Sequence, residues 1–128
     1  MRLLLDTHAL IWAVDQPAQL GPEGRAVLED ASNELLLSAA TIWEIAIKVG
    51  LGKLSLSMPY REWMNQAMAD LQVVVLPVTV EYADAQARLP NHHRDPFDRL
   101  LVVQAQLEGV PLISGDPVFD QCAIPRLW

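Results

Sequence analysis

Arg2-Leu3-Leu4-Leu5-Asp6 is a short apolar run that ends in an acid. Its apolar residues do not alternate with polar ones, which is typical of a strand buried on both faces of a parallel sheet. A second run, Pro111-Leu112-Ile113-Ser114-Gly115-Asp116, ends in the same way. Because the carboxyl ends of parallel strands border the crevice where open α/β sheets bind ligands, we expect Asp6 and Asp116 to meet there.

Strands and helices are expected to alternate along the rest of the sequence. The strands are predicted at 2–6, 34–38, 72–76 and 112–114, with a possible edge strand at 124–128. The helices are predicted at 7–14, 23–31, 39–49, 59–71, 79–89 and 95–108, with a short helical turn at 118–122. This order predicts one α/β domain over residues 1–128, with a central parallel sheet of four to five strands and helices on both faces.

The composition limits the classes of protein. Of the 128 residues 52% are hydrophobic and 20% charged, which predicts a compact, soluble domain. No apolar run approaches the roughly 20 residues that a membrane helix needs, so no membrane partner is expected. The single Cys122 cannot form an internal disulfide, which fits a cytoplasmic location. A net charge of −7 argues against a nucleic-acid binder with a broad basic face, unless bound cations or a basic partner offset it.

Two helices carry further candidate acids. Glu44 is the only charge in the apolar segment 39–47, so we expect it to be buried and to need a metal, another cation or Lys48 as its partner. Asp95 precedes Pro96 and suits the N-cap of the helix that follows. Asp98 lies three residues later, and of the two acids it is the better candidate for a ligand.

Asp6, Glu44, Asp98 and Asp116 are therefore predicted to form a metal site. Several acids in one place repel one another, and a hard divalent cation with oxygen ligands removes that repulsion. This pattern predicts metal-dependent chemistry on phosphate esters. Simpler roles stay open, because Asp6 can cap a helix and Asp116 can start a turn.

Other residues are weaker candidates. Ser114 and Arg99 could assist the acids, and Arg94, His93 and Lys48 could contact a substrate. Trp12, Trp43 and Trp63 are expected to pack in the core or at a subunit interface.

Four stretches carry a resemblance to a known family. They are Leu4-Leu5-Asp6-Thr7-His8, Ser38-Ala39-Ala40-Thr41-Ile42-Trp43-Glu44-Ile45, His93-Arg94-Asp95-Pro96-Phe97-Asp98-Arg99-Leu100-Leu101-Val102 and Leu112-Ile113-Ser114-Gly115-Asp116. In this order they resemble the PIN-domain ribonucleases, and in particular the VapC-like toxins of type II toxin–antitoxin pairs. The resemblance covers nearly the whole chain.

The resemblance implies cleavage of RNA with Mg²⁺ or Mn²⁺, a cognate antitoxin and a homodimer. We expect one or two ions held by the acids to bind the scissile phosphate and to activate a water. It assigns the catalytic and metal-binding acids to Asp6, Glu44, Asp98 and Asp116, a hydroxyl to Ser114 and an uncertain part to Asp95. A non-catalytic PIN-like adaptor is the alternative. Other classes fit less well: Asp6-Thr7-His8 lacks the second acid of a haloacid-dehalogenase-like phosphatase, and 73–77 lacks the acceptor acid of a receiver domain.

Overall fold

The computed structural model describes residues 1–90 and 95–128 of the chain. Within these ranges the strands are β1 (Arg2–Leu5), β2 (Glu34–Ser38), β3 (Val74–Leu76), β4 (Leu112–Ile113) and β5 (Arg126–Leu127). The α-helices are α1 (Thr7–Asp15), α2 (Pro22–Glu29), α3 (Ala39–Gly50), α4 (Tyr60–Leu71), α5 (Val80–Arg88) and α6 (Pro96–Glu108). Two short 3₁₀ helices lie at Pro17–Gln19 and Pro117–Cys122.

The strands form one sheet in the order β3-β2-β1-β4-β5, and every neighbouring pair is parallel. Leu4 lies opposite Leu36 on one side and Leu112 on the other, so β1 is the central strand. The chain adds β2 and β3 on one side of β1 and then crosses back to add β4 and β5 on the other. The order of strands therefore reverses between β1 and β4, which is where open α/β sheets bind ligands.

Side chains of β1 alternate between two buried layers, as the pleat of a strand requires. Leu3 and Leu5 face the layer formed by α1, α2, α3 and α4, which includes the fully buried Trp63. Leu4 faces the opposite layer, where Leu101 and Val102 of α6 cover the sheet. Burial on both faces explains why the run has no polar alternation, and it confirms the predicted parallel sheet with helices on both sides.

Capping residues set several helix ends where the sequence predicts them. The Thr79 hydroxyl accepts a hydrogen bond from the Tyr82 N–H at the start of α5. Asp95 caps α6, with Pro96 as its first residue. Gly109 ends α6 in a left-handed conformation with φ 67°, which costs glycine little. The predicted boundaries of α1, α3 and α6 are within about one residue of those observed.

The largest differences from the predicted elements occur in the strands at the edges of the sheet. The strand expected at 72–76 starts only at Val74, because Gln72 ends α4 with a positive φ of 51°. The possible edge strand at 124–128 is reduced to Arg126–Leu127, and it pairs with β4 alone. In residues 1–90 and 95–128, no helix is both long and apolar enough to span a bilayer.

Candidate functional site

A cavity of about 430 Å³ opens at the carboxyl ends of β1 and β4. The acids that line it come from four separate parts of the chain: Asp6, Glu44, Asp95, Asp98 and Asp116. The structure thus brings together the four acids predicted as metal ligands, with Asp95 beside them. The reversal of strand order places Asp6 and Asp116 on neighbouring strands, and helices α3 and α6 supply the other acids.

Asp6 is almost fully buried at the end of β1 and also caps α1. Its Oδ1 accepts a hydrogen bond from the Ala9 N–H at 2.7 Å, so the expected capping role is present. Burial raises the pKa of Asp6, and the neighbouring Asp116 carboxylate adds to that effect. Hydrogen bonds from the Ser114 hydroxyl and from Ala9 oppose it. Asp6 is therefore held in one orientation in a place where its negative charge is costly.

Ser114 is fully buried beside Asp6 at the end of β4. Its Oγ also accepts a hydrogen bond from the Asp116 N–H at 3.0 Å. Asp116 then caps the following 3₁₀ helix, because its Oδ1 accepts from the Val118 N–H at 3.0 Å. Ser114 therefore connects the two strand-end acids, which gives the predicted auxiliary hydroxyl a positioning role.

Glu44 is only 3% exposed, as the apolar character of its helix predicts. Its Oε1 accepts a hydrogen bond from the Thr7 hydroxyl at 2.6 Å, and its Oε2 accepts from the Lys48 ammonium at 2.7 Å. The hydrogen bond with Glu44 is the main reason why the pKa of Lys48 is raised. Lys48 lines the cavity and is the partner for Glu44 that the sequence left as one of three options.

Asp95 and Asp98 lie at the start of α6 with different roles. Asp95 Oδ1 accepts from the N–H groups of Phe97 and Asp98, at 2.8 and 3.2 Å, and so caps the helix as predicted. Burial is the largest cause that raises the pKa of Asp98 to about 7. Smaller contributions come from four negative charges, in decreasing order those of Asp95, Glu44, Asp6 and Asp116. The negative charge of Asp98 is thus made costly first by burial and then by repulsion from the other acids.

Arg99, His93 and Arg94 are the remaining predicted residues. Arg99 does not line the cavity; its guanidinium donates to the carbonyl oxygens of Gln86, Leu89 and Pro90 and ties α6 to the end of α5. Arg94 and His93 fall outside the described residues, so their suggested contacts with substrate stay predictions.

The cavity has an all-oxygen set of acidic donors, which suits hard cations such as Mg²⁺ and Mn²⁺ better than zinc. Among residues 1–90 and 95–128, no three His, Cys, Asp or Glu side chains are close enough together to grip an ion as they stand. The carboxylates share one cavity without forming a closed cage around a single point.

Several residues of the site were not singled out from the sequence. Thr7 holds Glu44, and His8 and Trp12 form an aromatic part of the cavity wall. The spacing of four residues between His8 and Trp12 on a helix that starts at an acid could have indicated this wall. Trp63 is buried and Trp12 packs against the same core cluster, as expected, although Trp12 also lines the cavity. Trp43 is 65% exposed.

The fold and the cavity define a class of α/β domain in which acids gather at the carboxyl edge of a parallel sheet. The chain belongs to the PIN domain family, whose sequence pattern matches residues 3–125. This match confirms the resemblance stated from the four sequence stretches.

Two curated relatives from Mycobacterium tuberculosis are similar to the chain. Ribonuclease VapC22 is 28% identical over 114 residues, which cover 89% of this chain and 86% of that protein. Ribonuclease VapC16 is 38% identical over 66 residues, which cover 52% of this chain and 45% of that protein.

Solved structures agree with the fold. VapBC2 from Rickettsia felis, bound to a DNA fragment from its promoter, gives a TM-score of 0.74 at 13% identity over the full length of both chains. FitAB bound to the IR36 DNA fragment gives 0.64 at 20% identity, over 97% of this chain and 92% of that one. VapBC-1 from nontypeable Haemophilus influenzae gives 0.59 at 18% identity, over 98% and 96%. At these identities the likeness extends to the fold alone.

Proposed function

We propose that this chain is a metal-dependent endoribonuclease and the toxin of a toxin–antitoxin pair. The observation that carries the proposal is the single cavity that collects Asp6, Glu44, Asp98 and Asp116 at the point where the strand order reverses. Membership of the PIN domain family and two relatives that bear the name ribonuclease support the same activity.

Asp6, Asp98, Asp116 and Glu44 would hold the metal, which we take to be Mg²⁺ or Mn²⁺. The raised pKa of Asp98, about 7, supports the binding of a cation by these residues. Without a cation, ionising all five clustered acids costs free energy through their mutual repulsion. Bound there, the cation would act as a Lewis acid on the scissile phosphate and activate a water for attack. Since the acids form no closed cage, water would complete the coordination, as Mg²⁺ prefers.

The protein's own residues fix the donors before any ligand arrives. Ser114 and the Ala9 N–H hold Asp6, and Thr7 and Lys48 hold Glu44. Asp98 keeps a proton in a large share of molecules near neutral pH, since its pKa is about 7. A cation in the cavity favours loss of that proton, so metal binding and ionisation of Asp98 are coupled.

The partners follow from charge and from the similar complexes. The cluster of acids in the cavity would attract an inserted arginine or lysine of an antitoxin, which would compete with the metal. The solved neighbours are VapBC and FitAB assemblies, which supports an antitoxin as partner. A homodimer and a cytoplasmic location complete the proposal, and light scattering on the purified protein tests the first of these.

The proposal is tested by incubating the purified protein with a labelled RNA pool in Mg²⁺, Mn²⁺ or EDTA. We expect cleavage with either metal, none with EDTA, and loss of at least a hundredfold in rate for Asp6→Asn. Asp84→Asn is the matched control, because Asp84 is an exposed acid on α5 that pairs with Arg88. Cleavage that persists at full rate in EDTA or in Asp6→Asn would contradict the proposal.

The adaptor alternative predicts a different pair of results. A non-catalytic PIN-like protein would leave the RNA pool intact in every condition and would show no heat of Mg²⁺ or Mn²⁺ binding by calorimetry. Saturable metal binding that Asp6→Asn weakens, together with cleavage, excludes the adaptor.

A further inference from the structure

Besides the buried Phe119, two aromatic side chains line the acidic cavity, and the proposed chemistry does not use them. His8 and Trp12 project from α1 into the lining of the cavity. Among the described lining residues, Lys48 is the one lysine or arginine. The ring centroids of His8 and Trp12 are 5.4 Å apart with planes tilted by 48°. His8 is exposed and Trp12 is partly buried, so the pair offers ring surface to a ligand in the cavity.

Trp12 packs against a second tryptophan, Trp128. Its ring centroid lies 5.6 Å from that of Trp128, and Trp128 in turn packs closely against Gly115, next to Asp116. The aromatic wall is therefore fixed with respect to the acids, because Gly115 and Asp116 belong to the same turn. A ligand that contacts both features meets a rigid arrangement, which reduces the entropy lost on binding.

A nucleobase is the ligand that this arrangement suits. RNA that enters the cavity brings a phosphate to the acids and a flat, uncharged base on either side of it. Exposed bases of single-stranded RNA are bound by stacking on aromatic side chains, at ~1–3 kcal/mol for each base. The chain's charge of −7 leaves little general attraction for RNA, so non-ionic contacts must supply a larger part of the affinity.

We propose that His8 and Trp12 form a stacking platform for a base next to the scissile phosphate. The inference rests on the proposed ribonuclease function. The base stacks on the cavity side of the pair and not between the rings, because insertion needs about 7 Å between ring planes, two contacts of ~3.5 Å. The observed separation of 5.4 Å between the centroids is too small.

The test compares two labelled probes, a 12-residue oligouridylate and the same ribose-phosphate chain without bases. Binding is measured by fluorescence anisotropy with Ca²⁺ in place of Mg²⁺, and gels check that the probe stays intact. We expect the wild-type protein to bind oligouridylate about tenfold more tightly than the abasic chain, which is the effect of stacking one base. His8→Ala and Trp12→Leu should each lose most of this difference.

Trp43→Ala is the matched control. Trp43 is a tryptophan that is 65% exposed, packs edge-on against Phe97 and does not line the cavity. This variant should keep the full preference for oligouridylate. If Trp12→Leu fails to fold by circular dichroism, His8→Ala decides the test alone, because the exposed His8 side chain can be removed with little effect on the core.

Two outcomes separate this inference from the proposed function. Wild-type protein that cleaves RNA with Mg²⁺ but binds both probes equally overturns the stacking platform alone. If His8→Ala and Trp12→Leu both keep the wild-type preference for bases, the stacking platform is overturned as well. Contact with a protein partner is then the role that remains for the pair. Base-dependent binding without any cleavage supports the platform and contradicts the ribonuclease.

Discussion

Asp98 is the residue at which the electrostatics of the cavity can be measured directly. Burial and four neighbouring carboxylates raise its pKa to about 7 from an ordinary value of 3.8. Between these two values the folded protein binds a proton that the unfolded chain has lost. Stability falls with rising pH wherever the folded state binds more protons, so Asp98 costs the metal-free protein stability as the pH rises from about 4 to about 7.

We therefore expect the urea midpoint of the wild-type protein in EDTA to fall between pH 5 and pH 8. Asp98→Asn should reduce this fall, because the amide carries no charge at either pH. The raised pKa of the buried Asp6 acts in the same direction and leaves part of the effect. Carboxyl groups with a lowered pKa, such as Asp15 and Glu108, gain their stability below this range.

The control for this experiment is Asp70→Asn, which changes an exposed acid on α4 away from the cavity. Its pH dependence should match that of the wild type, because the substitution leaves the acids of the cavity unchanged. Adding Mg²⁺ should stabilise the wild-type protein more at pH 8 than at pH 5, because the ion competes with the proton. An Asp98→Asn protein with the wild-type pH dependence would show that the acids do not interact as described.

Lys48 makes a second prediction at the scale of one residue. Its ammonium group lies 2.7 Å from the buried Glu44 carboxylate. It therefore supplies part of the positive charge that a bound metal would otherwise supply. Lys48→Met should lower the unfolding free energy of the metal-free protein by about 1–3 kcal/mol, since Glu44 loses a partner. It should also tighten Mg²⁺ binding several-fold, because no ammonium then competes for Glu44.

Calorimetric titration with Mg²⁺ and urea unfolding in EDTA measure these two effects. Lys53→Met is the matched control, because Lys53 lies outside the cavity. Tighter metal binding with lower metal-free stability would mark Lys48 as a counterion of the site. Weaker RNA binding with unchanged metal affinity would instead favour the contact with substrate that the sequence suggested for Lys48.

At the scale of elements, the turn between β4 and the last 3₁₀ helix positions Asp116. Gly115 lies in this turn, and a Cβ at that position would come within 2.8 Å of the Trp128 ring. The ring must then move, and with it the contact between Trp128 and Trp12. Trp128, the residue that follows β5, therefore contacts the cavity wall indirectly, through Trp12.

Gly115→Ala should accordingly lower stability by about 1–3 kcal/mol, the usual range for an overpacked core, and should reduce RNA cleavage. Gly50→Ala is the control with the same chemical change. A Cβ at Gly50 meets nothing within 4 Å, and Gly50 lies in α3, so alanine there should raise stability by about 0.5–1 kcal/mol. Thermal unfolding of both variants measures the difference; equal effects would contradict the close packing at Gly115.

The elements also show what the sequence can predict here and what it cannot. Asp6, Asp95 and Thr79 were predictable as helix caps, because capping depends on neighbours within three residues along the chain. The meeting of Asp6 with Asp116 was predictable from the rule that parallel strands share a carboxyl edge. The contact of Trp128 with Gly115 was not, because nothing in the local sequence indicates which surface a terminal aromatic residue will cover.

Glu44 has one partner that the sequence predicts and one that it does not. The apolar segment around it predicted burial, and the spacing to Lys48 predicted one partner, since residues four apart on a helix are neighbours. The second partner, the Thr7 hydroxyl at 2.6 Å, comes from another helix. The contact between Thr7 and Glu44 depends on how α1 packs against α3, so it could not be predicted from the sequence, whereas the pair within α3 could.

For the whole molecule, the balance of charge makes a prediction about how RNA binds. The chain has nine Lys and Arg against sixteen Asp and Glu. Several of the basic residues lie within 4.0 Å of a carboxylate, namely Arg2, Lys48, Arg88 and Arg126. The chain therefore has no excess of positive charge with which to replace the counterions of an RNA strand.

We expect the dependence of RNA affinity on salt to be shallow. Each phosphate neutralised on a single strand contributes about −0.7 to the slope of log K against log salt, so one or two contacts give about −1. A binder with six to ten contacts would give roughly −4 to −7. Anisotropy titrations of oligouridylate from 50 to 300 mM KCl, at a fixed concentration of Ca²⁺, measure the slope. A slope steeper than −4 would mean that a basic surface binds the RNA, and affinity would then not depend on the acidic cavity and its aromatic wall.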